Sequence, residues 1–362
     1  MSTHPVPPPM YPLLLRPMLF PKVWGGDRLA LFGKHVKHGD HIGEAWELAD
    51  LDSTSASGAG GGAARSIIVN GPLQGRTLRE AHTLFGRDFL GHATPPHHDS
   101  APFPLLVKYL DARENLSVQV HPSIAYAKAH PAASIKTECW YILDAEPGSV
   151  IYKGLRPGVL RKHFEKHLHG KNGEGVVADL EAVPAIPGHM HNLPSGTVHA
   201  LGAGVLVAEV QTPSDTTFRV YDWGRSGREL HVAQALDCIT YGPARDATFL
   251  PPEASIGRLV STGFFIVDEL HLASDAPPGS TLVDTMRLAT SAGPEALALS
   301  NDRAVVLMIV DGDCELRWSE HSHDAIDLTR GNTVVVPAAL VDTCIMTTAD
   351  TAKMLRVTTL GM

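Results

Sequence analysis

A chain of 362 residues with 44% hydrophobic residues can bury a substantial core, and its length suits two modest domains. The 39 acidic residues outnumber the 30 basic ones, giving a formal charge of -9, which excludes the broad basic field needed to grip a nucleic-acid backbone. Any anionic partner is therefore expected to be small and met by a local group of cations.

The opening "MSTHPVPPPMYP" places proline where a signal peptide would be continuously apolar, and its first dozen residues read as a frayed lead-in. No run approaches membrane-spanning length. The cysteines Cys139, Cys238, Cys314 and Cys344 lack a CxxC spacing and fit reduced thiols. A cytoplasmic protein with no nucleic-acid or membrane partner is expected, as a monomer or weak homo-oligomer.

"STSASGAGGGAARS", residues 53 to 66, reads as a Gly/Ala/Ser loop too flexible to carry chemistry. "HATPPHHDS", residues 92 to 100, contains His92, His97 and His98 without a defined ligand spacing and reads as a solvated loop. Beyond them, "PLLVKYL", "LSVQVHP", "ECWYIL", "SVIYKG", "TVHALG", "VLVAEVQT", "TFRVYDW", "RAVVLMIV" and "NTVVVPA" predict short strands punctuated by Gly, Pro or Asp. Helical periodicity is clearest in "LRKHFEKHLHG" and "RELHVAQALDCI". The expected fold is mainly β, with a few peripheral helices.

A weak internal repeat refines it. "PGHMHNLPSGTVHALG" and "TRGNTVVVPAALVDTCI" share a glycine and a proline at one separation, Gly188 with Pro194 and Gly331 with Pro337. Each predicts turn, strand, Pro-led turn, strand, the hairpin unit of a double-stranded jelly roll. Five residues past the proline the first copy has His199 and the second Asp342. Two copies of one architecture with one working site are expected.

Alternation along "LSVQVHP" sends Gln119 and His121 to one face and Val118 and Val120 to the other. Burying an amide and an imidazole without partners costs roughly 1 to 3 kcal/mol per group. Hydrogen bonding as a core pair is the common fate of a Gln-x-His; a metal ion would also satisfy both, with Glu138 and His199 completing the set. Two imidazoles, one carboxylate and one amide oxygen suit a catalytic zinc, and one carboxylate against a dication leaves a net positive, polarising centre. His189 and His191 of "GHMH" share a strand face and compete for the role, but lacking a nearby carboxylate they read as solvated groups or core hydrogen-bonders. Lys108, Lys136, Arg219 and Asp215 lie beside these segments; with a metal they would suit a phosphorylated, oxygen-rich substrate.

"LSVQVHPS", "KTECWYIL", "PSGTVHALG" and "VQTPSDTTFRVYDWGR" closely resemble type I mannose-6-phosphate isomerases of the short bacterial form, as do "RPMLFPKVWGG", "GEAWELAD" and "PFPLLVKYLDARENLS" in order. The resemblance spans about residues 12 to 240, with the tail resembling the family's second, metal-free cupin more weakly. It implies two cupin domains: a catalytic one over residues 1–240 and a cupin-like one over residues 241–362 lacking a metal site. It further implies one zinc per chain on Gln119, His121, Glu138 and His199, the set reached from strand geometry, and a catalytic Arg219.

The implied reaction is the carbohydrate interconversion of mannose 6-phosphate and fructose 6-phosphate through a cis-enediol. It needs a base for a weakly acidic C–H and stabilisation of the enediolate oxygen. Glu209 of "LVAEVQT" is the favoured base and Asp215 the alternative; Glu209 also reads as a buried carboxylate orienting Arg219. Lys136, Lys108 and Ser117 are assigned to the sugar or its phosphate, while Trp24 and Trp46 read as packing and, with Glu44, are placed outside the site. The 53–66 and 92–100 loops are longer than the short form leads one to expect, and "GHMHNL" replaces a stretch that is usually acidic then aromatic. The rival readings are an Fe(II) cupin oxygenase, which a fourth protein ligand at Gln119 disfavours, and a non-catalytic sugar-phosphate-binding protein on the same scaffold.

Overall fold

Side-chain alternation decides how the layers stack in the computed structural model, which describes residues 7–91, 102–170, 173, 175–242, 257–273, 303–318 and 324–360. Every residue of strand Leu106–Ala112 is buried. Val107 and Tyr109 enter one apolar core and Leu110 and Ala112 another, so the strand lies between two packed layers.

It belongs to a six-stranded antiparallel sheet ordered Met190–Leu193, Glu138–Ala145, Val205–Gln211, Leu106–Ala112, Met18–Gly26, Ile42–Leu48. A five-stranded sheet, ordered Leu180–Pro184, Val150–Leu155, His199–Leu201, Val118–Val120, Phe218–Tyr221, closes the first barrel against it. Trp140, Ile142 and Val207 of the first sheet share one core with Ile151 and Leu201 of the second. On the outside of the five-stranded sheet, Val118, Val120 and Ala200 pack under helices Arg161–Leu168, Gly175–Asp179 and Val232–Cys238 through Phe164, Val176 and Leu236.

The second barrel has a seven-stranded sheet, ordered Gly257–Ser261, Phe265–Ala273, Thr351–Thr359, Val305–Gly312, Thr333–Val336, Leu13–Arg16, Ile67–Ile68. Val267, Val306, Val335 and Leu355 from this sheet meet Tyr109, Tyr141 and Ala208 of the six-stranded sheet in the core between the barrels. The opposite faces, through Leu270, Leu307, Val334 and Met354, pack with Leu316, Leu328 and Met346 of the three-stranded sheet Ala325–Leu328, Cys314–Arg317, Ile345–Thr347. The fold is mainly β and of the expected class, and each strand run quoted from the sequence is a strand.

Several local expectations differ. Tyr11 is not frayed: it is 5% exposed and its hydroxyl donates to the Asn70 carbonyl at 2.9 Å. An aromatic ring gains more from that core than a tail loses in freedom. The adjoining strand Leu13–Arg16 pairs with Thr333–Val336, so the chain's beginning is woven into the second barrel's sheet. The Gly-rich segment holds a helical turn, Ala56–Ala59, and strand Ala64–Arg65. The repeat holds in outline, since Met190–Leu193 and Thr333–Val336 each lead to a strand of the opposing sheet, His199–Leu201 and Ile345–Thr347. A 3-10 turn at Ala338–Leu340 lengthens the second connection and leaves Asp342 exposed outside any strand. The 92–100 loop and its histidines lie outside the described residues.

Candidate metal centre and cleft

Cross-strand register lines up the polar interior. Across the five-stranded sheet Lys153 stands opposite His199, His199 opposite Gln119, and Gln119 opposite Arg219. Across the facing sheet His191 pairs with Trp140, Trp140 with Glu209, Glu209 with Lys108, and Lys108 with Trp46. Paired residues share a sheet face, so two polar rows confront each other inside an otherwise apolar barrel.

Where the rows approach, His121, Glu138 and His199, all buried, bring one ligand atom each within 4.8 Å of one another; among the described residues no other group of histidine, cysteine or acidic side chains does so. His121 Nδ1 lies 3.0 Å from the Thr216 carbonyl and His199 Nδ1 lies 2.8 Å from the Thr197 carbonyl. A carbonyl only accepts, so each Nδ1 carries a proton, and in a neutral ring Nε2 then presents a lone pair inward. Those Nε2 atoms stand 3.3 and 3.0 Å from the two Glu138 oxygens, neither of which receives a hydrogen bond of normal geometry. Lys136 Nζ lies 3.2 Å from His121 Nε2 and beside the Glu138 carboxylate, so positive charge is already drawn to these inward lone pairs.

The donor set therefore fits a divalent metal. Metal-binding histidines usually donate their other ring N–H to a carbonyl or carboxylate in this way, which fixes the tautomer and the ring's orientation. Burial and the Lys136 charge push His121 down to about 3, so its ring is neutral and able to donate electrons. Burial opposes ionisation of Glu138, but Lys136, whose Nζ lies 2.7 Å away, outweighs it and holds the carboxyl well below its ordinary range. Gln119 Nε2 is 3.2 Å from His199 Nε2, and a flip of the amide would turn its oxygen toward the same point.

Beside this cluster, meeting it at Gln119 and Lys136, is a cleft lined also by Ser117, Lys108, Glu209, Asp215, Arg219, Lys22, Glu44 and Arg228. Lys108 donates to Glu209 Oε1 at 2.9 Å and stands 5.1 Å from the Trp46 ring centre, while Trp140 Nε1 donates to Glu209 Oε2 at 2.7 Å. Burial works against the Lys108 charge, but Glu209 and Glu44 outweigh it and raise Lys108 above its ordinary value. Arg219 donates from Nη1 to the Glu229 carbonyl at 2.8 Å, and its buried Nε has no partner. Among the described residues it forms no ion pair, unlike Lys22, Lys108, Lys136 and Arg228.

A family model for the phosphomannose isomerase type I catalytic domain matches residues 22–149. The probable mannose-6-phosphate isomerase GmuF of Bacillus subtilis is 35% identical over 258 residues, covering 68% of this chain and 74% of that protein. The mannose-6-phosphate isomerase of Streptococcus mutans is 35% identical over 267 residues, 71% of this chain and 77% of that one. The chain belongs to the mannose-6-phosphate isomerase family. A solved mannose 6-phosphate isomerase from Bacillus subtilis superposes with a TM-score of 0.70 at 26% identity, covering 96% of this chain and 99% of that one. This family member is thus an isomerase of cupin fold carrying a potential metal site.

Within the isomerase, sequence reasoning misplaced some neighbours. Glu209 is tied to Lys108 and Trp140, with no bond to Arg219, because register puts Lys108 and Trp140 on either side of it. Trp24, Glu44 and Trp46 line the cleft. Of the two readings given to His189 and His191, burial agrees with the core one, and neither belongs to the His121, Glu138 and His199 group. Ser55 and Gly58 of the Gly-rich loop form cleft wall, so that loop does reach the site. Lys22 and Arg228 went unnoticed, although Lys22 sits in the quoted "RPMLFPKVWGG" and alternation with the buried Trp24 was available as a signal.

Proposed function

We propose that the chain interconverts mannose 6-phosphate and fructose 6-phosphate by proton transfer through a cis-enediol, with one zinc ion held by Gln119, His121, Glu138 and His199. The observation that carries this reading is the convergence of two carbonyl-anchored imidazoles on a buried carboxylate beside a cation-lined cleft. Zinc, when bound, supplies Lewis-acid polarisation of the sugar's oxygens.

The chain's own residues divide the remaining work. Arg219, with a buried Nε unpartnered, is placed to stabilise negative charge developing on the enediolate oxygen. Lys136, Lys108 and Ser117 bind the sugar or its phosphate from the cleft walls. Glu209 is the favoured proton carrier: each oxygen accepts one hydrogen bond and retains a second lone pair. Asp215 is the alternative. The domain reading is a catalytic cupin over residues 1–240 and a cupin-like domain over residues 241–362, with Leu13–Arg16 lent to the second sheet. A substrate that is a small sugar phosphate and a cytoplasmic location complete the proposal; no helix among the described residues is long and apolar enough to cross a membrane.

An assay coupled to fructose 6-phosphate formation tests it, run beside oxygen uptake with Fe(II). Isomerisation without oxygen consumption supports the reading. Iron-dependent oxygen uptake without isomerisation identifies the oxygenase, and tight sugar-phosphate binding without turnover identifies the binding protein.

A further inference from the structure

The Gly-rich segment is fastened at the cleft mouth by residues distant in sequence. Ser55 N–H donates to Asp215 Oδ2 at 2.5 Å, and Lys22 Nζ donates to the Gly58 carbonyl at 2.6 Å while pairing with Glu44 at 3.1 Å. Inside the segment Ser55 Oγ accepts from Gly58 N–H at 2.9 Å, and Thr54 Oγ1 donates to the Gly62 carbonyl at 2.9 Å, so the turn has a defined shape before it docks. Gly58 lies so close that a Cβ there would stand 2.6 Å from Asp215 Oδ2 and 2.5 Å from Ser55 Oγ. Both Ser55 and Gly58 face the cleft, together with Asp215. A glycine-rich segment has high backbone freedom when released, so its place in the wall depends on those bonds.

We propose that Asp215 is a positioning residue for the isomerisation, acting through the Ser55 N–H to hold residues 54–60 as a substrate-contacting wall of the cleft. This rests on the reaction proposed above and departs from a direct substrate or base role for Asp215. The acceptor Oδ2 is already committed to the loop, and Lys22 fastens the other end of the same turn. The wall thereby narrows the cleft beside Lys108 and Arg219 and raises the affinity of a sugar phosphate reaching the metal end.

The test uses the fact that Ser55 has φ -69°, a value proline adopts, so Ser55→Pro deletes the N–H and sets the ring Cδ against the Asp215 carboxylate, breaking the contact from the loop side. Ser55→Ala is its reference, since it removes the hydroxyl but keeps the N–H. Asp215→Ala and Ser55→Pro are each expected to raise KM for mannose 6-phosphate about tenfold with a smaller effect on kcat. Combined, they should be no worse than either alone, because both cut one bond. Asp215→Asn keeps an oxygen acceptor and should recover most of the loss caused by Asp215→Ala. Hydrogen exchange over residues 53–62 should quicken in Asp215→Ala and Ser55→Pro whatever the enzyme's activity. Multiplicative losses in the double variant, or Asp215→Asn as inactive as Asp215→Ala with loop exchange unchanged, would overturn the proposal. If the unaltered chain fails to isomerise yet exchange responds as described, the fastening stands and the assigned reaction falls.

Discussion

His199 Nδ1 lies 2.8 Å from the carbonyl of Thr197, two residues back in its own chain, and this short link aims Nε2 at Glu138. The imidazole is thus oriented by the Pro-led turn that precedes its strand. His121 is held from outside its segment by the Thr216 carbonyl at 3.0 Å. Replacing Thr216 is therefore harmless to that bond, whereas shifting its backbone is not.

Removing a ligand should separate metal loss from unfolding. Glu138→Gln and His199→Ala are each expected to lower zinc content by tenfold or more at equal protein concentration, with far-UV circular dichroism unchanged. Metal analysis after dialysis checks this.

Arg219→Ala should reduce kcat by about a hundredfold or more and leave zinc content intact, since its guanidinium binds the Glu229 carbonyl and no proposed metal ligand. Steady-state kinetics with metal quantification on one preparation decide it. Loss of zinc with activity would make Arg219 a support for the metal centre instead.

Lys108 and Glu209 are both buried and bonded at 2.9 Å. Lys108→Met strands the carboxylate and should cost about 3 kcal/mol in urea unfolding. The Lys108→Met, Glu209→Gln double variant should lose clearly less than the sum of the single losses.

Glu44 sets an acid limit. Burial resists its ionisation, but Lys22 and Lys108 outweigh that and hold it down to about 2. A carboxyl lower in the folded than in the unfolded chain adds stability above its unfolded pKa of about 4.5 that is lost as pH falls toward about 2. The contribution is on the order of 3 kcal/mol at neutral pH. Unfolding free energies measured from pH 6 to pH 2.5 should fall less steeply for Glu44→Gln than for the unaltered chain.

The first barrel was legible because polar residues recur at inward positions between apolar neighbours, as Gln119 and His121 do against Val118 and Val120. What escaped depended on register. Nothing local in "LVAEVQT" says that Glu209 faces Lys108 from one neighbouring strand and Trp140 from the other. The helix Leu78–Phe85 had a readable start, Thr77 with Glu80 in a capping box, and was overlooked among the strands. The Gly-rich loop misled because composition reports the freedom of a free segment, while Asp215, 160 residues away, removes it.

The most direct measurement is zinc content and isomerase activity on the same purified chain, before and after chelation and after zinc is returned. The expected result is about one zinc per chain, turnover of mannose 6-phosphate lost with the metal and regained with it. Full turnover by metal-free protein, or full zinc occupancy surviving the loss of both Glu138 and His199, would contradict the assignment of those side chains as the working centre.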